Sequence, residues 1–171
     1  MIALTKLLKI LHKEGLLFWA NKIGLEGVRL SDYRKKSTDD GSEMHIKIQN
    51  YLQHKIQFEF SEQLDKCLLG YEILSIEKSF NNGFISCRTD LQISKDDIKI
   101  VVYFKSNKKI YLEQKLQLST YKEILSFDKI AVINFDKWEL EFIEIDTLKY
   151  FNIVRFLYKI NSELESLNEK L

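Results

Sequence analysis

A run of alternating side chains, which occurs twice near the middle of the chain, constrains the fold more than any other feature. In Phe84–Ile93 the apolar side chains fall on every second residue, and the same period recurs in Ile98–Lys105. A period of two is typical of a half-buried β-strand. The pattern therefore predicts two strands joined by a short turn at Asp96-Asp97, followed by a helix over Leu112–Ser126.

The acidic turn sets the register of these two strands. Counting outward from it places Asp90 opposite Tyr103, whether the loop has two residues or four. Tyr103 and Lys105 point to one face because they are two residues apart on one strand. We therefore expect Asp90, Tyr103 and Lys105 to share one patch of the sheet.

The remaining strands predict a mixed sheet. Tyr71–Phe80 reads as a strand that ends at an Asn-Asn-Gly hairpin signal, so it should pair antiparallel with the strand that follows. Lys129–Phe135 and Trp138–Ile145 are predicted as two further strands, and Asp146–Leu171 as a long amphipathic helix. Lys129–Phe135 should return parallel to Ile98–Lys105, because a helix connects them. The predicted fold class is α/β, with a mixed central sheet flanked by helices.

The first part of the chain is predicted to be helical. Apolar spacing indicates a helix over Ile2–Lys22, a second over Glu43–His54 and a third over Phe60–Leu69. Between the first two lies the polar segment Gly24–Asp40, which contains four basic residues, Arg29, Arg34, Lys35 and Lys36. Such a cluster is either a solvated surface or a place that binds backbone phosphates of DNA.

Length and composition fit one compact domain. At 171 residues with 45% hydrophobic side chains, the chain can bury a core. We divide it into a helical part at 1–69, a catalytic-type core at 70–145 and a C-terminal helix at 146–171. With 26 basic and 25 acidic residues, any binding to nucleic acid depends on local patches.

Cysteine content and hydropathy bear on location. The two cysteines are too few for a disulfide framework and suit a reducing compartment. No apolar run has the length of a signal peptide or a membrane span. We therefore expect a cytoplasmic protein that does not bind membranes.

Five motifs, in order along the chain, resemble those of the PD-(D/E)XK nuclease superfamily, specifically its RecB-type exonuclease branch, with its phage-type and mitochondrial-genome-maintenance-like members. That branch has a helix-borne histidine, a glutamate-bearing strand, an Asp-bearing strand, an acid-x-Lys strand and a Gln-x-x-x-Tyr helix. The matching residues are His45, Glu77, Asp90, Tyr103-Phe104-Lys105, Gln117 and Tyr121. The resemblance implies a restriction-endonuclease-like core.

The same resemblance implies a function. It predicts a divalent-metal-dependent DNA exonuclease that hydrolyses phosphodiester bonds in single- or double-stranded DNA with Mg²⁺ or Mn²⁺. Asp90 would be the main metal ligand, His45 the second and the backbone carbonyl of Phe104 the third. Carboxylate and carbonyl oxygens are the hard ligands that both cations prefer.

The resemblance also assigns catalytic roles outside the metal shell. Lys105 would orient or deprotonate the attacking water and stabilise negative charge. Gln117 and Tyr121 lie at i and i+4 on one helical face, where they would bind DNA or hold the site in shape.

The chain departs from the family pattern at Tyr103, which occupies the position of the acid in acid-x-Lys. A phenol, with an ordinary pKa of about 10, is a poor ligand for Mg²⁺ at pH 7. An acid from elsewhere, Glu77 or Glu113, could complete the metal shell, or the domain works weakly with fewer ligands. The chain could also be a catalytically inactive nuclease-fold module that binds DNA or a protein partner, or an unrelated α/β domain.

Overall fold

A computed structural model describes residues 2–9, 11, 20–21, 23–27, 29–106 and 109–168, with backbone alone at 30, 33–38, 40 and 168. The chain divides into two compact units, one formed by Met1–Ile10 with Glu59–Leu171 and the other by Leu11–Phe58. The single domain expected over 1–171 stays a prediction. No helix within the described residues is both long and apolar enough to cross a membrane.

A mixed six-stranded sheet forms the centre of the larger unit. Its strands are β1 Ile2–Ala3, β2 Glu72–Asn81, β3 Ile85–Lys95, β4 Ile98–Lys105, β5 Lys129–Asn134 and β6 Leu140–Phe142. The order is β1-β3-β4-β5-β6, with β2 paired to β3. β3 therefore pairs with three strands: antiparallel to β2 and β4, and parallel to β1. This sheet confirms the predicted fold class.

The β3–β4 hairpin has the predicted register. Asp96 and Asp97 form a two-residue turn with φ of 50° and 62°. Positive φ at both central residues is what a type I′ hairpin turn requires, and it matches the twist of the flanking strands. From this turn the ladder runs outward to the pair Leu91–Val102.

β5 returns parallel to β4, as predicted, with Ala131 beside Val102. Both faces of these two strands carry buried apolar residues, which is typical of strands covered on both sides. Val101, Ala131 and Ile133 are fully buried. The centre of the sheet is therefore held mainly by apolar packing.

Five helices are described: α1 Leu4–Leu8, α2 Leu30–His54, α3 Ser61–Leu68, α4 Leu112–Leu125 and α5 Thr147–Asn168. In the larger unit, α4 packs on β4 and β5, α5 packs on α4, and α1 contacts β3, α4 and α5. The N–H of Lys149 donates to Asp146 Oδ1 at 3.0 Å. Asp146 thus caps the start of α5.

An aromatic cluster lies where β4 and β5 end. Phe104 stacks on Phe135, Phe135 contacts Trp138, and Phe60 stacks on Trp138 with ring centroids 5.0 Å apart. The Cys67 thiol, near the end of α3, donates to the Trp138 carbonyl. These contacts join the segment leading into α3 to the end of β4 and the β5–β6 connection.

Two of the predicted helices differ from the structure. Ile2 and Ala3 form strand β1, whereas the sequence predicted a helix over Ile2–Lys22, most of whose later residues lie outside the described ones. In the smaller unit, α2 starts at Leu30 instead of Glu43, so that Gly41 lies inside it. A glycine inside a helix costs only about 1 kcal/mol relative to alanine, which the neighbouring helix-forming residues offset.

Candidate active site

The ladder between β3 and β4 opens at one end. Pairing stops at Leu91–Val102, although β3 extends back to Ile85 and β4 continues to Lys105. Beyond that pair, the backbone N–H of Phe104 donates to Asp90 Oδ2 at 2.9 Å, so a side chain replaces the strand partner. The Asp90 carboxylate therefore lies where the two strands separate, and it is largely buried.

The Phe104 carbonyl faces the same opening. On β4, the carbonyls of Lys99 and Lys105 accept hydrogen bonds from the N–H groups of Asp128 and Phe135, beside β5. In a strand, the N–H and C=O of one residue point to the same edge, and successive residues point to opposite edges. The carbonyl of Phe104 thus points to the edge where its N–H meets Asp90. Its role as a metal ligand stays a prediction.

Glu77 comes to the same point from the neighbouring strand. β2 and β3 pair on both sides of Glu77 and Asp90, but these two residues do not form a ladder pair. Glu77 has a φ of 49°, a left-handed conformation that costs a non-glycine residue about 1–2 kcal/mol. One of its carboxylate oxygens lies within 4.8 Å of one from Asp90. Two acids thus converge where both ladders are interrupted.

Arg88 pairs with this acidic cluster, and the sequence-based prediction missed it. Its Nε lies 2.9 Å from Glu77 Oε2. The Arg88 side chain is 66% exposed, whereas that of Glu77 is 12% exposed. A signal existed, because Arg88 is two residues before Asp90 on the more polar face of the predicted strand. The guanidinium partly offsets the repulsion between the two carboxylates.

Gln117 and Tyr121 hold the backbone at the opening. The Tyr121 hydroxyl donates to the Arg88 carbonyl at 2.8 Å, and Gln117 Nε2 donates to that hydroxyl. Tyr121 is almost completely buried, and this burial raises the pKa of its phenol. Of the two roles expected for this pair, these contacts favour holding the site in shape.

Tyr103 on β4 is a neutral phenol tied to α4. Burial raises the pKa of Tyr103 and the Asp90 charge raises it further, while a hydrogen bond to the Gln114 side chain opposes them. Gln114 also accepts the backbone N–H of Tyr111 at 3.0 Å and so caps α4. A phenol with a raised pKa does not supply the anionic oxygen that a divalent cation prefers.

Lys105 is buried at the end of β4. Burial lowers the pKa of Lys105, and the nearby Glu141 carboxylate partly opposes that shift. Its Nζ donates to the carbonyl of Lys109. Lys109 lies in the β4–α4 connection and Glu141 on β6, so strand periodicity gave no sign of either contact. A lowered pKa is the direction that a proton acceptor needs, and the catalytic role of Lys105 stays a prediction.

The other predicted site residues lie in the smaller unit. His45 is half-buried on α2, and its role as second ligand stays a prediction. Arg29 precedes α2 and is exposed. The backbone of Arg34, Lys35 and Lys36 is helical, although no helix was predicted for this polar segment, and their side chains lie outside the described part of the structure.

Comparisons with known proteins identify no family for this chain. No protein-family model matches the chain, and no curated protein matches it. Among solved structures, the chain is similar to the crystal structure of SSO0001, with a TM-score of 0.44 and 16% identity. That match covers 93% of this chain and 75% of the other. SSO0001 is therefore a distant structural neighbour.

Proposed function

We propose that this chain is a divalent-metal-dependent DNA exonuclease of the PD-(D/E)XK type. The observation that carries the proposal is the approach of Glu77 and Asp90 to within 4.8 Å, where β3 and β4 separate. Carboxylate and carbonyl oxygens suit Mg²⁺ and Mn²⁺, so the donor set fits either cation. Two acids this close also repel each other unless positive charge compensates them.

In this proposal Glu77 supplies the carboxylate that the nuclease pattern has at the position of Tyr103. Asp90, Glu77 and the Phe104 carbonyl would hold the cation, with His45 as a further ligand by resemblance. A bound Mg²⁺ or Mn²⁺ lowers the pKa of a coordinated water and offsets charge on the phosphoryl oxygens. The second carboxylate would thus come from β2 instead of from β4.

The remaining residues would act around that centre. Lys105, with its lowered pKa, would hold or accept a proton of the attacking water. The basic residues at the start of α2 would bind DNA phosphates, which position a nucleic acid without reading its sequence. The substrate would be single- or double-stranded DNA.

Two observations favour a second candidate, a catalytically inactive nuclease-fold module that binds DNA or a protein partner. Tyr103 is neutral, and Glu77 already has Arg88 as its counter-ion. If that ion pair is permanent, the charge of Glu77 is compensated without a cation. The fold would then be kept for binding alone.

A cleavage assay separates the two candidates. End-labelled single- and double-stranded DNA would be incubated with the protein and Mg²⁺ or Mn²⁺, with EDTA as the blank. We expect metal-dependent cleavage that falls at least about a hundredfold in Asp90→Asn, Glu77→Gln and Lys105→Met. Glu163→Gln removes an exposed carboxylate of α5 and should leave cleavage unchanged. A parent protein that neither cuts DNA nor gains thermal stability with Mn²⁺ would instead be the binding module.

A further inference from the structure

Arg88 combines a fixed backbone with an exposed side chain. Its carbonyl is held by the Tyr121 hydroxyl, and its neighbours on β3 pair with β2. Its guanidinium reaches Glu77, yet two thirds of the side chain remain exposed. Arg88 can therefore change partner through its side chain alone, without any change in the sheet.

The charges of the cluster set up a competition. Glu77 and Asp90 lie close together, and an ion pair joins Glu77 to Arg88. A cation held by the two carboxylates would supply the positive charge that Arg88 now supplies. A guanidinium and a divalent cation repel each other. Binding of a cation to Glu77 therefore weakens the ion pair with Arg88, and the ion pair weakens binding of the cation.

We propose that Arg88 is a phosphate-binding residue whose release is coupled to metal binding. It pairs with Glu77 while the acidic cluster holds no cation, and it turns to a phosphate oxygen of the DNA backbone when a cation has taken Glu77. The planar guanidinium suits a phosphate because it donates two parallel hydrogen bonds. This inference rests on the proposed metal centre and adds a positioning residue to it.

The coupling has a thermodynamic consequence. If a cation frees Arg88 for DNA, then DNA in turn removes Arg88 from Glu77, and each ligand strengthens the binding of the other. Removing the arginine should therefore have opposite effects on the two ligands. Metal affinity without DNA should rise, because a competitor is lost, while DNA affinity with metal should fall.

Arg88→Gln tests these opposite effects. Its Mn²⁺ affinity, from the rise in Tm during a Mn²⁺ titration, should increase about two- to fivefold, which is the scale of an exposed ion pair. Its affinity for a fluorescent single-stranded oligonucleotide, measured by anisotropy with Ca²⁺, should fall about tenfold. Ca²⁺ takes the same oxygen ligands, and a gel would verify that the oligonucleotide stays intact.

Two further variants serve as controls. Arg88→Lys keeps the charge but loses the paired hydrogen bonds, so both affinities should lie between those of the parent and Arg88→Gln. Arg155→Gln removes an exposed arginine of α5 and should change neither. If Arg88→Gln binds Mn²⁺ more weakly than the parent, the proposed role of Arg88 is wrong while the nuclease proposal stands. The same holds if Ca²⁺ strengthens DNA binding by Arg88→Gln as much as it does for the parent. If the parent itself does not bind Mn²⁺, both proposals fail.

Discussion

The two halves of the β3–β4 hairpin are held together in different ways. The closed half, Leu91–Lys95 with Ile98–Val102, is a regular ladder with apolar side chains buried along it. In the open half, Arg88–Asp90 with Tyr103–Lys105, side chains take over from the ladder and hydrogen-bond the backbone of both strands. One half is stable because of apolar packing and the other because of a polar network. Substitutions in the two halves should therefore differ in kind.

The largest effect on stability is expected in the closed half. Leu91→Ala would remove a fully buried side chain and leave a cavity. Unfolding in urea should show a loss of about 2–5 kcal/mol. The rise in Tm with Mn²⁺ should persist, because the polar network is untouched. If the Mn²⁺ response disappears in a folded protein, the two halves are not independent.

In the open half, Asp90→Ala should cost about 1–3 kcal/mol, because the Phe104 N–H loses its charged acceptor. Asp90→Asn keeps an oxygen in that place, so it should recover part of the stability. Neither variant should respond to Mn²⁺. Urea denaturation with and without Mn²⁺ measures both quantities. Equal stability of the alanine variant and the parent would show that this hydrogen bond does not support the open half.

Tyr103→Asp should lower stability without metal and raise the affinity for metal. Without metal, a third carboxylate near Asp90 and Glu77 should lower Tm through repulsion. With Mn²⁺ the variant should gain more stability than the parent, by about 1.4 kcal/mol for each tenfold gain in affinity. Tyr103→Phe is the control that adds no charge. If Tyr103→Asp binds metal and cuts DNA whereas the parent does neither, the parent is the inactive module.

The smallest effect is expected at Glu77, where function and backbone strain conflict. Glu77→Gly should gain up to about 1 kcal/mol in urea denaturation, because glycine adopts a positive φ without steric cost. The lost ion pair to Arg88 reduces this gain, and the response to Mn²⁺ should vanish. Lys78→Gly, at a neighbouring position without a positive φ, should instead lose about 0.5–1 kcal/mol. A loss of similar size in both variants would mean that Glu77 is not strained.

The sequence predicted the closed half well, because a period of two and an acidic turn are local signals. Counting along the strands also predicts that Asp90 lies opposite Tyr103. The left-handed backbone of Glu77 was not foreseen, since it lacks the glycine or asparagine that marks such a conformation. The sequence predicts a start of α2 at Glu43, later than the observed start at Leu30, because the apolar helical stripe is confined to the part after Gly41.

The partners of Lys105 illustrate another limit. Glu141 and the Lys109 carbonyl reach it from another strand and from a loop, and no spacing in the sequence records that approach. The burial of Tyr103, which keeps it neutral, likewise depends on where α4 packs. Such contacts exist only once helices and strands have assembled.

The irregular path of β2 also bears on how this protein avoids aggregation. Among the described strands, β2 pairs with β3 alone, and Ile73 and Leu74 are exposed on it. A long, regular edge strand can pair with strands from other molecules. Here the pairing shifts between Ile73 and Ser75, and Glu77 bends the backbone soon after. The distortion that brings Glu77 to Asp90 therefore also makes this edge a poor template for intermolecular β-sheets.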